Sequence, residues 1–481
     1  MNYFLQLLHF VLKNSLIVSI VLVAAILRFW QLDSQMILFP DAGHDLLVAA
    51  QAVEERSVPL LGIPSSIPIF KQGPIAIWLM MATISTFGIA SYPIAILFAL
   101  IGCLAVIGIY EILTVTMSRQ HGLIAAALAA TSPIMVAHSR MPYHTTPIPF
   151  MTILFLAACV ALWHKYRFAP FLAVLTFCGV FQFELAAAPL ALVPIYIWLR
   201  RYRRLPTRGE SAQVVLAFLT GMLPQVIFDL QNNFTQIAKF FVWVMIKTKD
   251  FFVLGSSGNL QLHTAFENSW LYIGRIFSTD FLLISIAFTV VFVLGIFFAI
   301  HKAKTKILEP IWEISLLSML VLLSAFIIHT GPSEAYFPPL FILVLIHITC
   351  TIKALPKPVY TLSVLAIALL MLTNVVSIWQ HRFFVSTVQK WTYAPSLAEQ
   401  RQVISFITQK STGEYQLKST QPNKEAFPSD FDNYRWVALE EKMHPPGDSG
   451  TVFWIQPKNQ VSSFSPAQNR RTFQSLVIYW H

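Results

Sequence analysis

Apolar runs of about 20 residues recur from one end of this 481-residue chain to the other, and nothing else in it limits the fold as much. A run of that kind closes its own backbone hydrogen bonds as a helix, because a lipid interior offers peptide groups no other partner. With 56% hydrophobic and 12% charged residues and a mean hydropathy of +0.64, the expected fold class is an all-α polytopic membrane protein. A net charge of +10 in a soluble protein would suggest nucleic acid. Here Lys and Arg fall in short loops between apolar runs, so the partner is the lipid bilayer and no nucleic acid is expected. Cys103, Cys159, Cys178 and Cys350 lie in apolar segments without CxxC spacing, which indicates neither a disulfide framework nor a zinc site. Residues 1–30 are basic and then apolar, but no small-residue cleavage site precedes Arg28-Phe29-Trp30, so the first helix is read as uncleaved.

Spans are expected near 12–30, 92–117, 122–138, 146–163, 169–184, 186–199, 212–230, 279–300, 311–329, 336–352 and 359–378. A further apolar stretch at 74–90 decides the topology. If it does not cross, the basic connections 118–121, 164–167, 199–204, 301–306 and 353–357 all share the cytoplasmic side with the N-terminus. It is therefore read as an interfacial or re-entrant helix, giving eleven crossings and an extracytoplasmic C-terminus. The first loop (31–91), the turn 139–144, the loop 231–278 and the tail from 379 then share the outer face. Two domains result: a transmembrane part, 1–378, and a small extracytoplasmic α/β domain, 379–481. The tail shows a helical run from Leu397 to Lys410 and β-like runs at 451–455 and 475–479, with a core thin enough to need support from the membrane part. No internal repeat is visible, which argues against a transporter.

Chemistry is expected in the first outer loop, where Phe39-Pro-Asp-Ala-Gly-His-Asp45 places two carboxylates and an imidazole within five residues beside a membrane. Asp41 alone could cap the amphipathic stretch 46–54, but capping does not explain the cluster of Asp41, His44 and Asp45. Lys71 stands where this loop re-enters the interface, and Pro74 opens the next helix at its N1 position. Arg140, with Tyr143 and His144, forms a second polar knot, and a cation on the outer side runs against the orientation rule unless it has a specific partner. Gln182, Glu184, Asp229, His329, Glu334 and Tyr336 converge on the same face as candidate substrate contacts, whereas His347 in mid-span reads as a satisfied structural residue.

These residues together resemble GT-C-type glycosyltransferases that use polyprenyl-phosphate sugars, the group of protein O-mannosyltransferases, aminoarabinose transferases and RgtA/B/C/D-like enzymes. The likeness rests on Asp41 to Asp45 as the acidic motif of the first external loop, on 59–66, on Gly73-Pro74, on Ser139-Arg140, and on 223–229 and 336–340. It covers roughly residues 10–350. His44 stands where the most similar variant often has Arg, Glu184 where many members have His, and Tyr143-His144 where many place an Asp. The resemblance implies transfer of a sugar from a polyprenyl-phosphate donor to an acceptor hydroxyl of an envelope glycan, lipid or protein. Asp41 is then the general base. Asp45 and His44 orient it, contact the sugar or help to hold a divalent cation, with no metal assigned. Lys71 and Arg140 face the departing phosphate. A glycan polymerase or ligase using the loop 231–278, with His263 or Arg275, and a lipid or solute transporter are the alternatives.

Overall fold

The structure, a computed structural model, describes residues 14–64, 70–253, 273–278, 282–305, 308–329, 334–381, 395–411, 413–419, 431–457 and 469–480. Its N-terminal part is mainly helical among the described residues: α1 (Ser15–Phe29), α2 (Leu32–Gln35), α3 (Pro40–Glu54), α4 (Ile75–Phe87), α5 (Ser91–Thr116), α6 (Arg119–Thr131), α7 (Pro133–Ser139), α8 (Ile148–Trp163) and α9 (Ala169–Phe183). A 3-10 turn (Leu185–Ala191) leads into α10 (Leu192–Arg201), α11 (Arg208–Gly221), α12 (Leu223–Gln231) and α13 (Thr235–Val253). Then come α14 (Leu282–Thr305), α15 (Pro310–His329), α16 (Pro338–Ala354) and α17 (Lys357–Gln380). Every expected span has helix at its position. Among the described residues, though, α5 and α17 are the two helices long and apolar enough to cross a membrane singly, or up to four spans if each bent pair counts as one.

The bends follow the sequence. The pairs α6–α7 and α11–α12 turn by 63° and 75°, with Pro133 and Pro224 at the start of each second helix. A proline there has no N–H to continue the previous ladder and is suited to opening a new one. The stretch at 74–90 forms α4, whose 13 residues span about 20 Å, less than a hydrocarbon core of about 30 Å. Its N-cap is Pro74 itself, one place earlier than expected. The segment 231–278, read as loop, contains α13.

The tail holds α18 (Leu397–Lys410), β1 (Tyr415–Ser419), α19 (Asp432–Glu440), β2 (Thr451–Pro457), β3 (Asn469–Thr472) and β4 (Leu476–Trp480). The sheet order is β1-β2-β4-β3, with β1 parallel to β2 and the other pairs antiparallel. A parallel pair needs a crossover, which α19 supplies. The exposed edge strand β3 reads Asn-Arg-Arg-Thr, a charged border that discourages pairing with another chain.

Two apolar cores result. One fills the helix bundle around Phe155, Trp312 and Leu343. The other joins Leu27, Ile37, Leu38, Leu46 and Phe98 to Leu397, Ile404, Trp436 and Phe453 of the tail. The tail therefore shares its core with the first loop, which offsets the thinness of its own. Polar contacts fasten the seam. The Gln400 amide donates to Leu38 O (2.7 Å) and the Trp436 indole to Ser91 Oγ (2.7 Å), while Glu440 accepts from Ser91 N (2.9 Å) and Ser91 Oγ (2.8 Å).

Candidate active site

The acidic motif is the first turn of α3 rather than a loop before it. Phe39 is the N-cap with extended backbone and Pro40 occupies N1, with no side chain capping the helix. Asp41 is thus not the cap the sequence suggested. It sits inside the first turn, where the free N–H groups favour a negative charge. Asp41 and Asp45, four apart, share one side of the helix, yet their surroundings differ. Asp41 is exposed; Asp45 is fully buried, 0% exposed. Two carboxylates held in such different media take different tasks.

Asp45 Oδ2 accepts from the backbone N–H (3.2 Å) and Nδ1 (2.8 Å) of His144, which is itself 4% exposed. Asp45 Oδ1 has no hydrogen-bond partner among the described residues. Burial pulls the His144 imidazole toward the neutral form, but the Asp45 carboxylate outweighs it, helped by Glu184 and Asp41, and the ring's pKa is raised above its ordinary 6.5. A raised folded-state pKa means the pair stabilises the protein fully below pH 6.5 and loses that contribution as pH rises through the folded value. Melting scans between about pH 5 and 9 should show this decline in wild type and a flatter course in Asp45→Asn. Parallel curves would contradict it.

His44 turns away from Asp45 toward the tail. Its Nδ1 lies 2.8 Å from Asp432 Oδ2, and that hydrogen bond is the main reason its pKa is raised. Gly43 touches the same place, since a Cβ there would come within 2.3 Å of Asn433 N and 2.4 Å of its Cα. Half of the motif therefore faces the bundle and half holds the tail.

Lys71 belongs to a short hairpin, bridged to Pro64, in which Gly62 N donates to Gln72 O and Gln72 N to Ile63 O, both 2.9 Å. The Gln236 amide donates to Lys71 O (2.8 Å), and Asp229 fixes Gln236 by accepting its backbone N–H (2.7 Å). Gly73 lies on the paired amides of Gln182 and Gln225 (2.9 and 3.0 Å), where a Cβ would meet Gln182 Oε1 at 1.5 Å. The Lys71 backbone is thus pinned while its side chain is exposed, with no hydrogen bond or ion pair among the described residues. Gln72 extends inward, its amide 3.4 Å from Glu184 Oε2, and Glu184 Oε1 accepts from Ala186 N (3.0 Å) at the helix break. Next to Lys71 in the chain, Gln72 thus reaches Glu184, whose charge acts on His144, the partner of Asp45.

Arg140 is placed differently from expectation. It is 0% exposed, and its guanidinium donates to Leu27 O (3.1 Å), Arg28 O (2.9 Å) and Trp30 O (3.0 Å). These are the orphan carbonyls at the end of α1, so the fork caps that helix instead of standing open to a phosphate. Tyr143 packs between Phe39 (4.7 Å) and His144 (4.0 Å). Asp229 serves the start of α13 as described. Tyr336 is buried against Phe326 in the bundle. The side chains of His329 and Glu334 lie outside the described residues, as does His263, and Arg275 is buried at 7% exposure. His347 is a structural residue, accepting from the Trp312 indole (3.0 Å) and donating to Phe292 O (3.0 Å). Sequence reasoning missed Gln72, Gln225, Gln236, Asp432 and Asn433, whose roles depend on partners far along the chain. Among the described residues no group of three or more His, Cys, Asp or Glu is arranged to hold a metal ion. The divalent cation left open by the sequence finds no ligand set there.

Residues 71–228 match the family model described as dolichyl-phosphate-mannose-protein mannosyltransferase. That stretch begins at Lys71 and includes Arg140, His144 and Glu184, though not α3. No curated protein matches the chain significantly. Among solved structures, ArnT from Cupriavidus metallidurans bound to undecaprenyl phosphate superposes with a TM-score of 0.58 at 12% identity, over 96% of this chain and 97% of that one. Its apo form gives 0.56 at 12% identity, over 97% and 98%. The chain thus shares the fold of the ArnT structures, and the family match covers residues 71–228, under half of its length.

Proposed function

We propose that this protein transfers a sugar from a polyprenyl-phosphate donor to an acceptor hydroxyl on an envelope glycolipid, polysaccharide or protein, at the outer face of the cytoplasmic membrane. The observation that carries this reading is an exposed carboxylate, Asp41, one helical turn from the buried Asp45–His144 pair, together with an exposed ammonium, Lys71, that has no hydrogen bond or ion pair among the described residues. In the reaction the acceptor O–H gives its proton to Asp41 as the acceptor oxygen bonds the anomeric carbon. The bond from that carbon to the phosphate oxygen breaks, and polyprenyl phosphate leaves with added negative charge. Lys71 opposes that charge, with its backbone position fixed by Gln236 and Gly73 so that little reorganisation is needed. The solved relative in complex with undecaprenyl phosphate supports a donor of this class. An outer-face site, as the distribution of Lys and Arg between the apolar runs suggests, favours a lipid-linked donor over cytosolic sugar nucleotides.

Purified protein in lipid, offered a panel of polyprenyl-phosphate sugars with envelope extract as acceptor, should release polyprenyl phosphate from at least one. Lys71→Met should lower that release by about 10²–10³-fold. Near-normal kinetics for Lys71→Met would remove it from the mechanism, and no release from any donor would overturn the donor class.

A further inference from the structure

The seam between tail and first loop does more than hold the two together. Docking is already secured by Trp436 and Glu440 on Ser91 and by Gln400 on Leu38, none of which involves a titratable ring. His44 is half-buried, and a partly exposed ion pair adds little to stability. Its partner Asp432, in contrast, is buried at 5% exposure and braced, with Oδ1 accepting from Arg435 (2.9 Å). The next residue, Asn433, donates to Gln400 Oε1 (2.9 Å), and the backbone of both lies directly on Gly43. The carboxylate thus reaches His44 from a fixed place.

We propose that Asp432 is a positioning residue of the active site, holding the His44 ring so that Nε2 is its working atom beside Asp41. The proposal rests on the reading of Asp41 as general base. A carboxylate accepts, so the neutral ring carries its proton on Nδ1 and its lone pair on Nε2. His44 lies three residues after Asp41, a neighbouring position on a helix surface. The charged groups facing it are Asp41 and Asp45 from its own helix, and Asp432 with Arg435 from the tail. Neutral, the ring is a second proton acceptor on that face; protonated, it is a cation next to Asp41. The C-terminal region then supplies part of the catalytic machinery from 388 positions away.

The test uses the full-length protein in lipid, with 15N-histidine spectra and pH–rate profiles of polyprenyl phosphate release. The His44 signal is identified by its loss in His44→Gln. Wild type should show the Nδ1–H tautomer. Asp432→Ala should mix the tautomers and lower turnover by up to about 100-fold with little change in KM. Asp432→Asn, whose amide oxygen still accepts from Nδ1–H, should restore the tautomer and most of the rate while moving the profile to lower pH. In the His44→Gln background Asp432→Ala should add nothing. An unchanged His44 tautomer in Asp432→Ala, or a rate loss in that variant that follows its melting temperature and leaves the profile of Asp432→Asn unmoved, would overturn the proposal. If wild type releases no polyprenyl phosphate, the reading of Asp41 fails, and the spectra still decide whether Asp432 holds the ring.

Discussion

Asp41→Asn is expected to lower polyprenyl phosphate release by about 10²–10⁴-fold while leaving donor binding nearly intact. The substitution keeps size and shape, so the first turn of α3 should survive, and it removes the lone pair that takes the acceptor's proton. Among the described residues, the neighbouring carboxylates are already committed. Asp45 is fully buried with one oxygen committed to His144, and Glu184 is committed to Ala186 and Gln72. The same change at Asp45 should act differently, weakening the fold through His144 before it touches chemistry. Stopped-time release assays at saturating donor separate the two variants. Turnover of Asp41→Asn within tenfold of wild type would exclude it as the base.

Gly43→Val is expected to drive the tail off the first loop. The atoms its Cβ would strike are the backbone N and Cα of Asn433 and the backbone C of Asp432, which cannot rotate aside. Overpacking of that kind costs about 1–3 kcal/mol where the structure can give. Here α19 would have to move bodily and take His44–Asp432 with it. Thermal unfolding and limited proteolysis of residues 395–480 report the change. Gly209→Ala is the control, a glycine within α11 whose added Cβ meets nothing within 4 Å, and it should be neutral or gain up to about 1 kcal/mol. If Gly43→Val melts with wild type and its tail resists protease equally, the close packing is not what holds the seam.

Much of this was legible in the residues. Apolar runs located the helices because hydropathy is a local property, and the tail showed local signals too: the helical run 397–410 and the β-like runs 451–455 and 475–479, which fall on α18, β2 and β4. The bends were legible too late: Pro133 and Pro224 stood inside expected spans, and their missing N–H groups are what break the ladder. Arg140 misled because a cation at an outer turn suggests an anion. Helix-end carbonyls are equally good partners for a buried fork, and those lie 110–113 positions away. His44 was read with its neighbours Asp41 and Asp45, whereas its closest carboxylate comes from α19. Gly43 carries no signal of its own in a single sequence, since only the approach of another backbone explains it.

The core that the first loop shares with the tail also sets an order of assembly. Leu38 and Leu46 leave the ribosome early, but Trp436 and Phe453, which cover them, are made hundreds of residues later. Contacts of such long separation form late and slowly. Until residues 431–457 have been made, α3 has an uncovered apolar side and His44 lacks the carboxylate of Asp432. A chain halted before the tail would hold α1 to α17 and still lack the cover of α3, so on the proposed reading competence to react reports that the tail has been made and docked.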